Sequence, residues 1–324
     1  MKMTPRERFL AALAQQKTDR PCVGSATSVA TMELMDLLDA PWPEGHTDPE
    51  VMARLAAGGH TVFGYDNVMP LYSVMHEAAA LGAPVDWGEK DLMPVIPADT
   101  NPCLYLPAFL RPDSGEDFVT PKAADFYEHP STQTCLKALK LLKEQFGDEV
   151  AVVGKVFGPW TLGYHMYGVQ GFLTMAIDDP DRTRRAIRSM LEVTVMFAKM
   201  QIEVGVDALT LADHSTGDLV SAEYYRDFLL APHQELSRRI GCPVILHCCG
   251  NTLDRLPYMA QSGFACFHFD SRNDPVKGME IARGKIALMG GINNPELLMQ
   301  GTLEDVEPVV RRILDAGVNI TGPE

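Results

Sequence analysis

The feature that most limits what this chain can become is a recurring unit: a short β-branched or apolar run ending in Gly, Asp or His, then a stretch of helical patterning. Six runs stand out, at 151–154, 208–213, 244–247, 266–270, 286–290 and 318–322, and two weaker ones lie at 22–24 and 61–64. Between them apolar residues recur at three- and four-residue spacing over 131–146, 181–204 and 222–240, and Thr302-Leu303-Glu304-Asp305 has the form of a helix cap. Strands separated by helices pair in parallel, because the helix carries the chain back to the end of the sheet where the previous strand began. About eight of them in one chain favour closure over an open sheet. The expected fold is a single-domain (β/α)8 TIM barrel over residues 1–324. No Gly-x-Gly-x-x-Gly turn follows the first strand, so a dinucleotide-binding sheet has no support.

Residues 83–130 break the rhythm. Pro84, Pro94, Pro97, Pro102, Pro107, Pro112 and Pro121 leave little room for helix. The segment reads as an insertion between strands 2 and 3, of the kind that covers the C-terminal mouth of a barrel. A net charge of −15 repels phosphate backbones and anionic lipid surfaces, so no nucleic acid and no membrane partner is expected. No apolar run approaches the roughly 20 residues that span a bilayer, and the opening residues read as a charged amphipathic helix rather than a signal peptide. A cytoplasmic protein is expected. Seven cysteines, an odd number at irregular spacing, argue against a disulfide framework. Cys22, Cys103, Cys135 and Cys242 read as core thiols.

The chemistry concentrates in Pro243-Val244-Ile245-Leu246-His247-Cys248-Cys249-Gly250-Asn251. Side chains alternate along a strand, so His247 and Cys249 project together and Cys248 points the other way. An imidazole and a thiolate at i and i+2, at the C-terminal end of a barrel strand, suit zinc. Gly250 then lets the chain turn closely past them. The competing reading is a buried histidine with two inert core thiols. Asp213 and His214 follow the fourth strand, and His268 and Asp270 share one face of the sixth. Of these, Asp213 is the candidate catalytic carboxylate. Asp270, if it faces inward, could complete a metal shell or orient His247. His214 reads as a structural hydrogen-bonding group or cap.

Other segments resemble a known family. Arg6-x-Arg8-x-x-Ala11-x-Leu13, Asp19-Arg20-Pro21 and Asp48-Pro49-Glu50, with the late run Gly290-Gly291-Ile292-Asn293-Asn294-Pro295-Glu296-Leu297-Leu298 and Gly301-Thr302-x-Glu304-Asp305-Val306, are similar to the uroporphyrinogen decarboxylase superfamily over nearly the whole chain. His247-Cys248-Cys249-Gly250-Asn251 and Ala40-Pro41-Trp42-Pro43-Glu44-x-His46-Thr47 resemble its branch of methylcobamide:coenzyme M and related corrinoid methyltransferases. That resemblance implies zinc bound by His247 and Cys249 with a second Cys just after the last strand. Here 318–324 stops where that Cys and the closing helix would follow, so both are expected beyond Glu324, with Asp270 as the substitute ligand otherwise. The arginine-bearing segment with which the decarboxylases bind porphyrinogen carboxylates reads Gly24-Ser25-Ala26-Thr27-Ser28-Val29-Ala30, so decarboxylation is disfavoured.

The resemblance further implies a mechanism. Zinc would hold a small thiol substrate, such as coenzyme M, as thiolate, which attacks the methyl group of a methylated corrinoid, methylcobalamin or its equivalent, carried on a separate corrinoid protein. Two rivals stand beside it: the reverse transfer, from an ether or amine to the corrinoid, and a non-catalytic corrinoid-binding role on the same barrel.

Overall fold

The computed structural model describes residues 2–73, 75–97 and 117–324. Eight parallel strands run in the order β1-β8-β7-β6-β5-β4-β3-β2. They are β1 Cys22–Val23, β2 Asn67–Val68, β3 Ala151–Phe157, β4 Ala208–Ala212, β5 Val244–His247, β6 Cys266–Phe269, β7 Ala287–Ile292 and β8 Ile320–Pro323. Helices such as Pro130–Phe146, Pro180–Glu203 and Leu303–Asp315 cover the outside, giving the (β/α)8 barrel. All seven residues of β3 are buried, which fits a strand with inward neighbours on one face and helices on the other.

Closure between β1 and β2 does not use a strand ladder. The Asp66 amide donates to the Val23 carbonyl at 2.7 Å, and the Asn67 side chain accepts from the Ser25 amide at 3.0 Å while donating to the Ser25 carbonyl at 2.8 Å. Beneath this seam, the opening helix Pro5–Leu13 delivers Arg8 to the buried Asp66 carboxylate at 2.6 Å and to Asp19 at 2.7 Å. Arg20 reaches the same Asp66 oxygen at 2.8 Å, and the second oxygen accepts the Val23 amide at 3.0 Å. Paired from several sides, Asp66 repays its desolvation.

The sequence places the second strand at 61–64, and the structure moves it to Asn67–Val68. Thr61 is instead the last residue of the helix Pro49–Thr61, and Gly64, at φ +69°, returns its amide to His60 in a helix-terminating turn. Apolar content at a helix end imitates a short strand. The 222–240 helix is interrupted, with Ala222–Tyr224 and Leu230–Arg239 joined by a π-helical turn, Tyr225–Leu229. Thr302 and Asp305 form the expected capping box. Of the insertion, residues 98–116 lie outside the described residues. What precedes them includes a small antiparallel pairing of Asp86 with Val95 and Glu89 with Leu92. Cys22 and Cys135 are buried and Cys242 is half-buried, while Cys103 falls outside the described residues.

Candidate metal and methyl-transfer site

His247 ends β5 in register with Ala212 of β4 and His268 of β6. Its Nδ1 is 2.7 Å from His268 Nδ1, its Nε2 is 3.1 Å from Cys249 Sγ, and His268 Nε2 is 2.9 Å from the Pro323 carbonyl of β8. These contacts settle the tautomers. A carbonyl can only accept, so His268 carries its proton on Nε2. Burial holds His268 down to about 4, so the ring is neutral and its Nδ1 is a bare acceptor. His247 must then donate from Nδ1, which leaves its Nε2 lone pair facing the Cys249 sulfur. Burial, with the repulsion of His268, His214 and Lys155, likewise holds His247 neutral. Room for the His268 ring comes from Gly290 at φ +106°, where a Cβ would lie 2.7 Å from the imidazole.

Cys249 is exposed as a residue, but its sulfur contacts the buried imidazole. Desolvation, reinforced by the Asp270 and Glu324 carboxylates, pushes its thiol up to about 11. In the metal-free protein the S–H therefore donates to His247 Nε2. Gly250, at φ +77°, turns the chain immediately afterwards, and a Cβ there would strike Thr216 and Asp218. Cys248 points away and is buried, as alternation requires.

The third donor in the cluster is His214. Its ring, with those of His247 and Cys249, offers ligand atoms that all lie within 4.8 Å of one another. Tetrahedral zinc with nitrogen bonds of about 2.0–2.1 Å and a sulfur bond of about 2.3 Å needs donors roughly 3–4 Å apart, a spacing that His247 Nε2 and Cys249 Sγ already have at 3.1 Å, with the His214 ring within 4.8 Å of both. The sequence reading favoured Asp213 over His214, and the structure gives the two the opposite placements. Ala212 faces inward beside His247, so Asp213 turns outward and His214 returns to the mouth. Asp213 is fully buried, accepting from the Thr161 amide at 2.8 Å and from His233 Nε2 at 2.9 Å, while His233 Nδ1 meets the Tyr225 hydroxyl at 2.9 Å. The Thr161 hydroxyl in turn accepts the His214 amide at 2.8 Å. Asp213 thus positions the segment that carries His214 and does not itself reach the cluster. The same strand alternation used at β5 would have revealed this at β4.

Asp270 lies beside the cluster without joining it. Its Oδ2 accepts the Gly250 amide at 2.8 Å and its Oδ1 the Arg272 amide at 2.9 Å, so in this conformation it holds the turn that presents Cys249. The chain's last described residues pass the same place, with Glu324 accepting the Ser271 amide at 2.6 Å.

With this geometry in view, comparison with known proteins is informative. The family model described as uroporphyrinogen decarboxylase (URO-D) matches residues 4–323. The chain belongs to the uroporphyrinogen decarboxylase family. Among relatives in the family, a methylated-thiol–coenzyme M methyltransferase of Methanosarcina mazei is 32% identical over 99% of this chain and 83% of its own length. A methylcobamide:CoM methyltransferase, MtaA, of Methanosarcina barkeri is 28% identical over 99% of this chain and 91% of its own. A solved structure titled methyltransferase from Methanosarcina mazei superposes with a TM-score of 0.91 at 29% identity, covering 99% of this chain and 93% of that one. This member of the uroporphyrinogen decarboxylase family is a methyltransferase. The early family motif has a structural meaning here, since Arg8, Asp19 and Arg20 gather on Asp66 at the β1–β2 seam. Among the described residues no helix is long and apolar enough to cross a membrane.

Proposed function

We propose that the enzyme transfers a methyl group from a methylated corrinoid, carried on a partner protein, to a small thiol such as coenzyme M, with zinc held by His247 and Cys249 and with His214 as the adjacent donor. The observation that carries this reading is the bare His247 Nε2, fixed by the His268–Pro323 contacts and set 3.1 Å from Cys249 Sγ at the barrel mouth. The named activities of the relatives support the same reading.

Zinc bound there would supply the Lewis acidity that strips a thiol's proton and keeps it nucleophilic at neutral pH. The chain's own contribution is to offer two uncharged donors, since protonated imidazoles would repel the ion and close their lone pairs. His268 keeps the correct nitrogen of His247 free, and Asp270 and Gly250 fix the turn that aims Cys249. In the transfer the sulfur–carbon bond forms as the carbon–cobalt bond breaks, the electron pair staying on cobalt, so donor and acceptor must be held in line. Cys249 would have to give up its proton to serve as a zinc ligand, so metal affinity should weaken as pH falls.

The relative named for a methylated thiol favours a second reading, in which a methylated small molecule gives its methyl to the corrinoid. Zinc-loaded enzyme mixed with methylcobalamin and a thiol separates the two. Thiol-dependent loss of methylcobalamin is expected, with Cys249→Ala losing both zinc and activity while Cys248→Ala retains its zinc. Methylation of reduced corrinoid from a methylated thiol, ether or amine, with no thiol-dependent demethylation, would establish the reverse reaction.

A further inference from the structure

The loops that follow β4 to β8 are tied into a collar at the barrel mouth, and much of that collar has no part in holding a metal or a thiol. After β4, Gly217 donates its amide to the Asn251 carbonyl at 2.8 Å, and Asn251 Nδ2 donates to Asp218 Oδ1 at 2.8 Å. Arg272, in the loop after β6, pairs with Asp218 at 3.0 Å. Ser271 beside it accepts from Asn293 Nδ2 at 3.0 Å, and Asn294 Nδ2 donates to the Glu324 carbonyl at 2.7 Å, so the loop after β7 is fastened to the ends of β6 and β8. A surface braced in this way is ordered before anything binds to it.

On this collar large apolar side chains face water. The π-helical turn Asn294–Leu298 buries none of its residues, and Leu298, Met299 and Leu303 are 47%, 80% and 81% exposed. Gly301 fixes their presentation: its amide donates to the Leu297 carbonyl at 3.0 Å, and a Cβ there would lie 2.5 Å from that oxygen. Across the mouth, Leu219 in the loop after β4 is 48% exposed. A single exposed apolar residue is ordinary, but a group of them on a braced loop at the open end of a barrel marks a contact surface.

Reach and charge point to the occupant. β4 and β7 are three strands apart with β5 and its Cys249 loop between them, about 14 Å of barrel wall, so a small thiol cannot touch both apolar points. A protein laid across the mouth can. The protein that the proposed reaction calls for is the carrier of the corrinoid. Around the cluster the collar also holds Asp218, Asp270, Glu296 and Glu324 against Arg272, an acidic excess that suits a partner face edged with Lys or Arg.

We propose that Leu298, Met299 and Leu303 on one side of the mouth and Leu219 on the other form the docking surface for the corrinoid protein, which lays an apolar face with a basic border across the collar. This rests on the methyl-transfer reading above for the identity of the partner and does not depend on the direction of transfer. The surface selects a protein-borne corrinoid over a free one.

The probe is the corrinoid protein of the same organism, charged with methylcobalamin. Calorimetric titration of zinc-loaded wild type, Met299→Lys, Leu219→Lys and Phe63→Lys with it reads docking without turnover. All three side chains already face water, so folding is not at stake, and Phe63 lies in the turn leading into β2, at the end of the barrel where the strands begin. Wild type and Phe63→Lys should bind alike, and the two rim variants about tenfold or more weaker. In turnover the rim variants should raise KM for the protein-borne methyl donor by a similar factor, with a much smaller effect on free methylcobalamin. Raising ionic strength from about 0.01 to about 0.1 M should slow association. Undiminished docking by both rim variants, an equal loss with free methylcobalamin, or no docking to wild type would overturn the surface, and association that quickens with salt would overturn the basic border. Self-association of wild type abolished by Met299→Lys, with docking of the corrinoid protein unchanged, would give the face to a second copy. If wild type docks the corrinoid protein through these residues but methylates its reduced form from a methylated thiol, the direction proposed above fails and the docking surface stands.

Discussion

At the scale of single residues, the argument turns on which nitrogen carries a proton. His268 offers no atom to the proposed metal position, yet its Nδ1 lone pair, by accepting from His247 Nδ1, decides which nitrogen of His247 is left free for it. Replacing it with Phe removes the acceptor for His247 Nδ1–H, and zinc affinity should fall about 10- to 100-fold, as is typical when a ligand histidine loses its outer partner. Gln can both accept from His247 and donate to the Pro323 carbonyl, so His268→Gln should recover part of the loss. Nitrogen-15 NMR of the metal-free protein gives an independent readout: His247 as the Nδ1–H tautomer in wild type, and a mixture in the Phe variant. A fixed His247 tautomer in His268→Phe would remove the relay from the argument. Much of this was legible beforehand, because i, i+2 alternation pairs His247 with Cys249. His268 was seen to share a face with Asp270, but its contact with β8 depends on strand register, which no local pattern carries. Asp270 turned out to spend its oxygens on backbone amides next to the cluster, a use that a residue's type and position do not reveal.

Among elements, β4 and its following loop show how a buried polar chain aims a side chain that it never touches. The Tyr225–His233–Asp213 series joins the π-helical turn and the helix after it to the strand end, and Thr161, on the helix Pro159–Tyr167, passes the constraint to His214. Asp213→Ala leaves the Thr161 amide and the His233 ring buried without acceptors. It should cost about 3 kcal/mol in chemical denaturation. Gly158 belongs to the same device, because the Asp213 carboxylate occupies the space where its Cβ would be. A loss under about 0.5 kcal/mol for Asp213→Ala would mean that the buried series is not holding this segment. The long inner strands were readable because buried parallel strands are continuously apolar. β2 was not, since two paired residues flanked by a helix end carry almost no periodic signal.

On the scale of the whole molecule, the buried histidines set the acid limit. Burial lowers His46 to about 3, His76 and His268 to about 4 and His165 to about 4, and lowers His214 and His247 as well. Below the unfolded value of about 6.5 the unfolded chain takes up these protons first, so their stabilisation is complete above that pH and is lost progressively towards pH 4. Glu77, raised to about 8, acts with the opposite sign but is a single group. The Tm of the metal-free protein should therefore fall continuously from pH 7 to pH 4, and a Tm that rose over this range would contradict the buried, neutral state of these rings. The barrel itself was legible in the alternation of strands and helices, whereas its closure was not, because the β1–β2 seam rests on Asn67 and Asp66 and not on a ladder. The contact between His268 and the Pro323 carbonyl has a thermodynamic consequence of its own. It ties β8 to β6, whose His268 orients His247 on β5, so the orientation proposed to receive an ion exists only while β8 is docked. Whatever binds at His247 is then linked to the docking of a strand on another part of the ring, and occupancy suppresses local fraying of that strand in proportion to the logarithm of free ion over its dissociation constant.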